Sequence, residues 1–313
     1  MTLAPICMST YIRIDHLKQT IEALKRNTLA GESEVYVFSD GPKRGHEEKV
    51  HAVRRYLRDV RGFKKFEVIE SAANAYPNSL RQGMRTLLEK YGRMISFEED
   101  VVTAPYFLEF MNQSLTVYER SPKIFSISGY CPPITIPEGY LYDVFLLPRF
   151  SGWGFGIWKD RFDLIKMTLP KDEVSKFIRS WKDISSFGLG GLDMLEKIRK
   201  EASGKIDALD VKIFYSQHKL NMDTVYPVGS LVRNIGLDGT GLHSAKTKIK
   251  DVELINSERQ WIFPPEIQRD IRIMKSNFFF RLRGAKTFRP SRGNLWLVPY
   301  FMYRLTRKIP LFS

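Results

Sequence analysis

Through residues 1–128, short apolar runs alternate with stretches whose apolar residues recur every three or four positions. Pro5 to Met8 predicts a short strand. Ile14, Leu17, Ile21 and Leu24 repeat at helical spacing, which predicts an amphipathic helix over 14–27. Glu34–Ser39 (EVYVFS) predicts a second strand, stopped by the turn-forming Asp40-Gly41-Pro42. Val50, Val53, Leu57 and Val60 mark a helix, Phe66–Ile69 a strand, and Leu80, Met84, Leu87, Leu88 and Tyr91 another helix. Arg93–Phe97 and Lys123–Ser128 are further strands; between them Thr103 is expected to cap a helix with Pro105 in its first turn. This alternation predicts an α/β fold, with a mainly parallel sheet covered by helices on both faces.

Past residue 129 the rhythm breaks. Residues 130–160 are rich in Pro, Gly and aromatics, and 172–204 read as helical with an interruption at Gly188-Leu189-Gly190-Gly191. Residues 225–245 read as a glycine-punctuated loop, and 264–313 as a basic, aromatic segment. The expected division is a catalytic domain over 1–260 and a C-terminal appendage over 261–313.

Charge changes the picture only locally. The net charge is +14, and the stretch from Lys275 to Ser313 supplies nine Lys/Arg with no Asp or Glu. The body is therefore close to ordinary, and its charge does not predict nucleic-acid binding. Clustered Leu295, Trp296, Leu297, Val298 and Phe301 among the basic residues suit an interfacial segment on anionic lipid. A helix packed on the domain is the plainer reading of the same residues. The N-terminal sequence reads as strand then helix rather than as a signal peptide, and no run has the roughly 20 apolar residues of a membrane span. Cys7 and Cys131 lack metal-finger spacing and suit a reducing compartment. The expected location is the cytoplasm, with peripheral contact at the inner membrane face through the tail.

Candidate chemistry concentrates in MISFEEDVVTAP at 94–105, where a buried strand ends in Glu98, Glu99 and Asp100. In open α/β sheets, ligands bind at the carboxyl ends of the strands. One or two carboxylates together with substrate phosphates are the usual way to hold Mg²⁺ or Mn²⁺. If the strand continued through the acids, Glu98 and Asp100 would share one direction and Glu99 the other. A plain acidic turn would balance a basic surface, but the flanking residues here are apolar, and a second acid, Asp40, ends another early strand.

FEEDVVTAPYFLEFMNQSL resembles the metal-binding segment of GT-A glycosyltransferases, a variant of their DxD motif. It is similar to the acidic triplet of the Golgi N-acetylglucosaminyltransferase that initiates complex N-glycans, and more so to a group of bacterial inverting glycosyltransferases. The resemblance spans about 4–245 and includes VYVFSDGPK at 35–43, NSLRQGM at 78–84, SISGY at 126–130, GWGFGIW at 152–158 and YPVGSLVRNIGLDGTGLH at 226–243. It implies a GT-A (Rossmann-like) fold in which Asp100 holds Mn²⁺ or Mg²⁺ on the diphosphate of a nucleotide sugar. Glu98 and Glu99 would then face the ribose and donor sugar, and Asp40 the uridine or ribose. Ser9 and Arg13 follow the first strand, where the base would lie. Trp153 would line the donor-sugar and acceptor pocket. Arg233 and His243 lie in the loop that would close over the diphosphate, His243 as a further candidate metal ligand.

An inverting transfer needs a general base on the acceptor hydroxyl. Where the related enzymes carry an Asp-Ser-Trp-like element, this chain has Asp207-Ala208-Leu209, so Asp207 is the matching residue. Asp193 and Asp210 remain alternatives. The implied function is a metal-dependent inverting transfer from a nucleotide diphosphate sugar, a UDP-sugar first, to a glycan or lipid-linked glycan of lipopolysaccharide or exopolysaccharide type. A nucleotidyltransferase would share the layout, but it should carry a GGxGTR-like loop where this chain has MSTYIR. A non-catalytic protein binding membrane or nucleic acid would explain the tail but not the acids.

Overall fold

The computed structural model describes residues 2–239 and 251–284. In chain order the elements are β1 (Ile6–Thr10), α1 (Ile14–Lys25), β2 (Glu34–Ser39), α2 (Glu47–Arg58), β3 (Lys65–Glu70), α3 (Asn78–Tyr91), β4 (Arg93–Glu98), β5 (Val101–Thr103), α4 (Phe107–Val117) and β6 (Ile124–Ser128). There follow β7 (Val144–Leu147), β8 (Phe155–Trp158), α5 (Lys159–Asp163), α6 (Lys171–Phe177), α7 (Trp181–Phe187), α8 (Asp193–Ala202), α9 (Leu209–Lys219), β9 (Asp223–Pro227), β10 (Val232–Asn234) and α10 (Ile271–Gly284).

Eight strands form one sheet in the order β3-β2-β1-β4-β8-β6-β9-β7. β1 to β4, β6 and β9 run one way; β8 and β7 run against them. The sheet is thus mainly parallel and flanked by helices, as the alternation predicted. The order β3-β2-β1-β4 is that of a Rossmann-like half, and the strand order reverses beside β1, the place where such sheets form a crevice at the carboxyl ends of β1 and β4.

Period-two alternation explains both layers. Ile6 and Met8 of β1 bury against one face with Leu17, Ile21 and Leu24 of α1, while Cys7 buries against the other with Leu87 and Leu88 of α3. Both cysteines are free and buried, and burial pushes each thiol up to about 12.

Three local expectations fail. Thr103 caps no helix: it ends β5 and pairs with Val232, and α4 begins at Phe107. The break in rhythm past 129 does not exclude strands from the Pro-, Gly- and aromatic-rich 130–160, because Phe155–Trp158 form β8 between β4 and β6. The glycine-punctuated stretch contributes β9 and β10. These strands are short, and β8 and β9 are buried at every position, so no polar alternation marks them.

Of the expected appendage, residues 261–284 are described and pack on the body. Trp261 lies edge-on to Phe110 with ring centroids 4.9 Å apart, and Ile273, Met274 and Phe278 of α10 are buried. Its remainder, and His243, lie outside the described residues. No described helix is long and apolar enough to cross a membrane.

Candidate active site

The acids sit where β4 stops. Glu98 ends the strand in register with Ser9 of β1, while Glu99 and Asp100 form the turn into β5. Strand alternation therefore does not carry through the trio. Ser9 is half-buried at that strand end, beside the crevice.

Glu99 is fully engaged. Its Oε2 accepts from the Thr10 hydroxyl at 2.5 Å and the Tyr11 N–H at 2.7 Å, and its Oε1 from Arg13 Nε at 2.9 Å. Its carbonyl accepts from Thr20 at 2.8 Å. This ties the loop after β1 to the end of β4. Arg13 also donates from Nη2 to Asp100 Oδ2 at 2.7 Å. Asp100 Oδ1 and Arg13 Nη1 are buried and bond to nothing.

A short return strand covers these atoms. β10 pairs antiparallel with β5, and the Ile235 N–H then donates to the Asp100 carbonyl at 2.8 Å. Gly236 follows, and a Cβ there would stand 2.0 Å from Asp100 Oδ2 and 2.7 Å from Arg13 Nη1. A side chain there would have to displace the Arg13–Asp100 pair, so it is bare backbone that closes over it. His16 Nε2 meets Asp238 Oδ2 at 3.1 Å further along the same segment. Arg233 points away, half exposed, toward Asp251 at 3.5 Å.

Glu98 behaves differently. Burial, with Asp100 close by, pushes its carboxyl up to about 7. Its Oε1 meets the Tyr76 hydroxyl at 3.5 Å, the long end of hydrogen bonding. Burial, and then Glu98, raise the Tyr76 pKa. Asp40 holds the loop that carries this tyrosine: its carboxylate accepts from Asn74 Nδ2 at 2.6 Å, Ala75 N–H at 2.9 Å and Tyr76 N–H at 3.1 Å.

The three candidate bases are held in distinct ways. Asp207 is bonded to both Arg81 nitrogens, at 2.6 and 2.5 Å, and to Lys212. The Arg81 hydrogen bonds hold its pKa well below the carboxylate range. It lines a cleft of about 720 Å³ with Arg81, Arg85, Glu201 and Lys212, among others. Asp193 is gripped bidentately by Arg149 at 2.8 and 2.9 Å. Burial would raise its pKa, but Arg149 lowers it on balance. Among the described residues Asp210 pairs with Lys197, at 3.8 Å, and it acts electrostatically on both Glu98 and Arg149.

Trp153 is half-buried and edge-on to Tyr130, centroids 4.8 Å apart. The residues before and after it form the turn that leads into β8: Gly154 takes φ +62° and its carbonyl accepts from Gly129 N–H at 2.6 Å.

The structure thus brings Ser9, Arg13, Glu98, Glu99 and Asp100 together, with Asp40 one loop away. It leaves Arg233 turned outward and Asp207 and Asp193 in ion pairs. Sequence reading did not single out Tyr11, Tyr76, Arg81 or Arg149. Tyr11 lies inside the MSTYIR stretch and Arg81 inside NSLRQGM, both stretches already singled out; the Tyr11 hydroxyl meets His46 Nδ1 at 2.8 Å. Tyr76 and Arg149 make contacts across many residues that no spacing announces.

A carboxylate oxygen buried without a partner is a position that a divalent cation would fill. Asp100 Oδ1 fits one such ligand. Among the described residues no group of three His, Cys, Asp or Glu side chains completes a metal site, so phosphate oxygens would have to supply other positions.

No known protein family matches the chain, and no curated protein matches it. Among solved structures, the chain is similar to S. aureus TarS, with a TM-score of 0.43 and 9% identity. The match covers 74% of this chain and 36% of that one, so the chain spans about a third of that protein's length.

Proposed function

We propose that the chain is a GT-A-type, metal-dependent inverting glycosyltransferase, moving a sugar from a nucleotide diphosphate sugar to a surface-glycan acceptor. The observation that carries this reading is Asp100 Oδ1, buried and unpartnered in an acid trio at the carboxyl end of the sheet. Asp100 would hold Mn²⁺ or Mg²⁺, and that ion, when bound, offsets charge on the leaving diphosphate.

The chain's own residues do the rest. Arg13, with Nη1 unused, offers a donor to a phosphate oxygen beside Asp100. Glu99 fixes Arg13 and the β1 loop, so the guanidinium is positioned before any ligand arrives. Gly236 and its neighbours cover the site and keep water from it. The acceptor oxygen bonds to the anomeric carbon as the bond to the diphosphate breaks, and a carboxylate takes the hydroxyl proton. Asp207 lines the cleft and is the residue the resemblance points to, but it would take the proton only once Arg81 and Lys212 release it; Asp210 is the alternative. Asp193 is committed to Arg149. The basic tail would bring the enzyme to a lipid-linked acceptor.

The test is release of nucleoside diphosphate from UDP-, GDP- and dTDP-sugars with Mn²⁺ or with EDTA. One donor turned over in a metal-dependent manner supports the reading. Intact donors under every condition, together with no binding, reject it.

A further inference from the structure

The glycine-rich interruption at 188–191 has a structural purpose that the donor site does not explain. Gly188–Gly190 form one 3-10 turn between α7 and α8. The Gly190 carbonyl accepts from Arg149 Nη1 at 2.9 Å. At Gly191, φ is +130°, and a Cβ would lie 2.2 Å from Arg149 Nη1 and 2.5 Å from Asp193 Oδ1. The turn is shaped around the Arg149–Asp193 pair. Arg149 is 8% exposed, so this charge is held deep.

A second guanidinium reaches the same place. α10 packs on the glycine turn, where Asn277 Nδ2 donates to the Leu189 carbonyl at 3.4 Å. One turn further along α10, Arg281 Nε is buried and has no hydrogen-bond partner. Burial, and then Arg149, lower the Arg281 pKa to about 10, with Tyr226, Asp193 and Tyr130 acting in the other direction. That is far above neutral, so the charge remains. Both oxygens of Asp193 are already taken by Arg149. The segments outside the described residues, 240–250 and 285–313, contain no Asp or Glu. Among the described residues no carboxylate forms an ion pair with Arg281.

We propose that Arg281 and Arg149, set against the Gly188–Gly191 turn, form a binding site for an oxyanion, a phosphate or a carboxylate. Guanidinium forks suit either group. Resting on the proposed transfer reaction, the oxyanion is then a charged substituent of the acceptor, and the enzyme selects anionic glycans.

The probe is inorganic phosphate, and in a parallel arm acetate, titrated by calorimetry into the full chain with UDP and Mn²⁺ in excess. Excess nucleotide occupies the donor site if that reading holds. If it does not, the Arg281 dependence is still read. The expected result is saturable binding of at least one anion, weakened about tenfold or more in Arg281→Met, the loss of a charge-assisted contact. In the wild type, the Arg281 Nε–H resonance should move on titration. That readout keeps the test open should the variant not fold. Binding of neither anion, equal binding by wild type and Arg281→Met, or an unmoved Arg281 resonance overturns the proposal. Failure of UDP to bind while phosphate binds through Arg281 would reject the donor reading alone.

Discussion

At the end of β4, three carboxylates, Glu98, Glu99 and Asp100, meet one guanidinium, that of Arg13. At the glycine turn, two guanidiniums, Arg149 and Arg281, meet one carboxylate, Asp193. Each cluster has an excess of one sign in a place poor in water, where an unpaired charge is costly. The first is acidic in excess and the second basic in excess, so the two suit ligand groups of opposite charge, as the proposed transfer would need.

The largest way to break the contrast is Asp100→Ala. Transfer should fall about a thousandfold or more, matching the several kcal/mol a metal-held charge supplies. Circular dichroism should be unchanged: the Arg13–Asp100 pair is lost, but Glu99 still holds Arg13 and the strand ladder is untouched. Wild-type-like turnover would remove Asp100 from the mechanism. Next is Arg13→Met. It strands Glu99 and Asp100, so chemical denaturation should show a loss of about 3–5 kcal/mol. Arg281→Met should not lower stability in this way, since Arg149 already holds both Asp193 oxygens and would keep them paired. Equal losses for the two would erase the distinction between the clusters.

Gly191→Ala sharpens the comparison at smaller cost. The left-handed backbone and the 2.2 Å approach to Arg149 should destabilise by about 1–3 kcal/mol, read as a lower Tm. An unchanged Tm would mean the turn is not shaped around Arg149. The smallest effect is in pH. His218 stands edge-on to Phe177 and Phe187, and burial lowers its pKa from 6.5 to about 4. The unfolded chain takes the proton first as pH falls. This share of stability is whole above about 6.5 and is lost progressively down to about 4. His218→Gln should flatten the Tm slope across that window; an identical slope would contradict the assignment.

Legibility in the sequence follows the same divide. The elements of the N-terminal half are long enough to show their period: α1 and α3 carry Leu and Ile on one face, and β2 reads as a plain run. The acids at 98–100 and Asp40 stood out because strand ends in this fold are where ligands gather. In the second half, β7, β8 and β9 are four or five residues long and buried throughout, so they resemble loop fragments. Arg281 counted only as tail charge, and Gly188–Gly191 only as an interruption. Arg149 meets Asp193 from 44 residues away, a pairing that no local spacing encodes.

The most direct measurement is calorimetric binding of UDP to the wild type and to Asp100→Asn, each with Mn²⁺ and with EDTA. The account predicts that wild type binds UDP only with Mn²⁺ and that the Asn variant loses this binding while keeping its fold. UDP binding by wild type that EDTA leaves unchanged, or Mn²⁺-dependent binding that survives in Asp100→Asn, would contradict it.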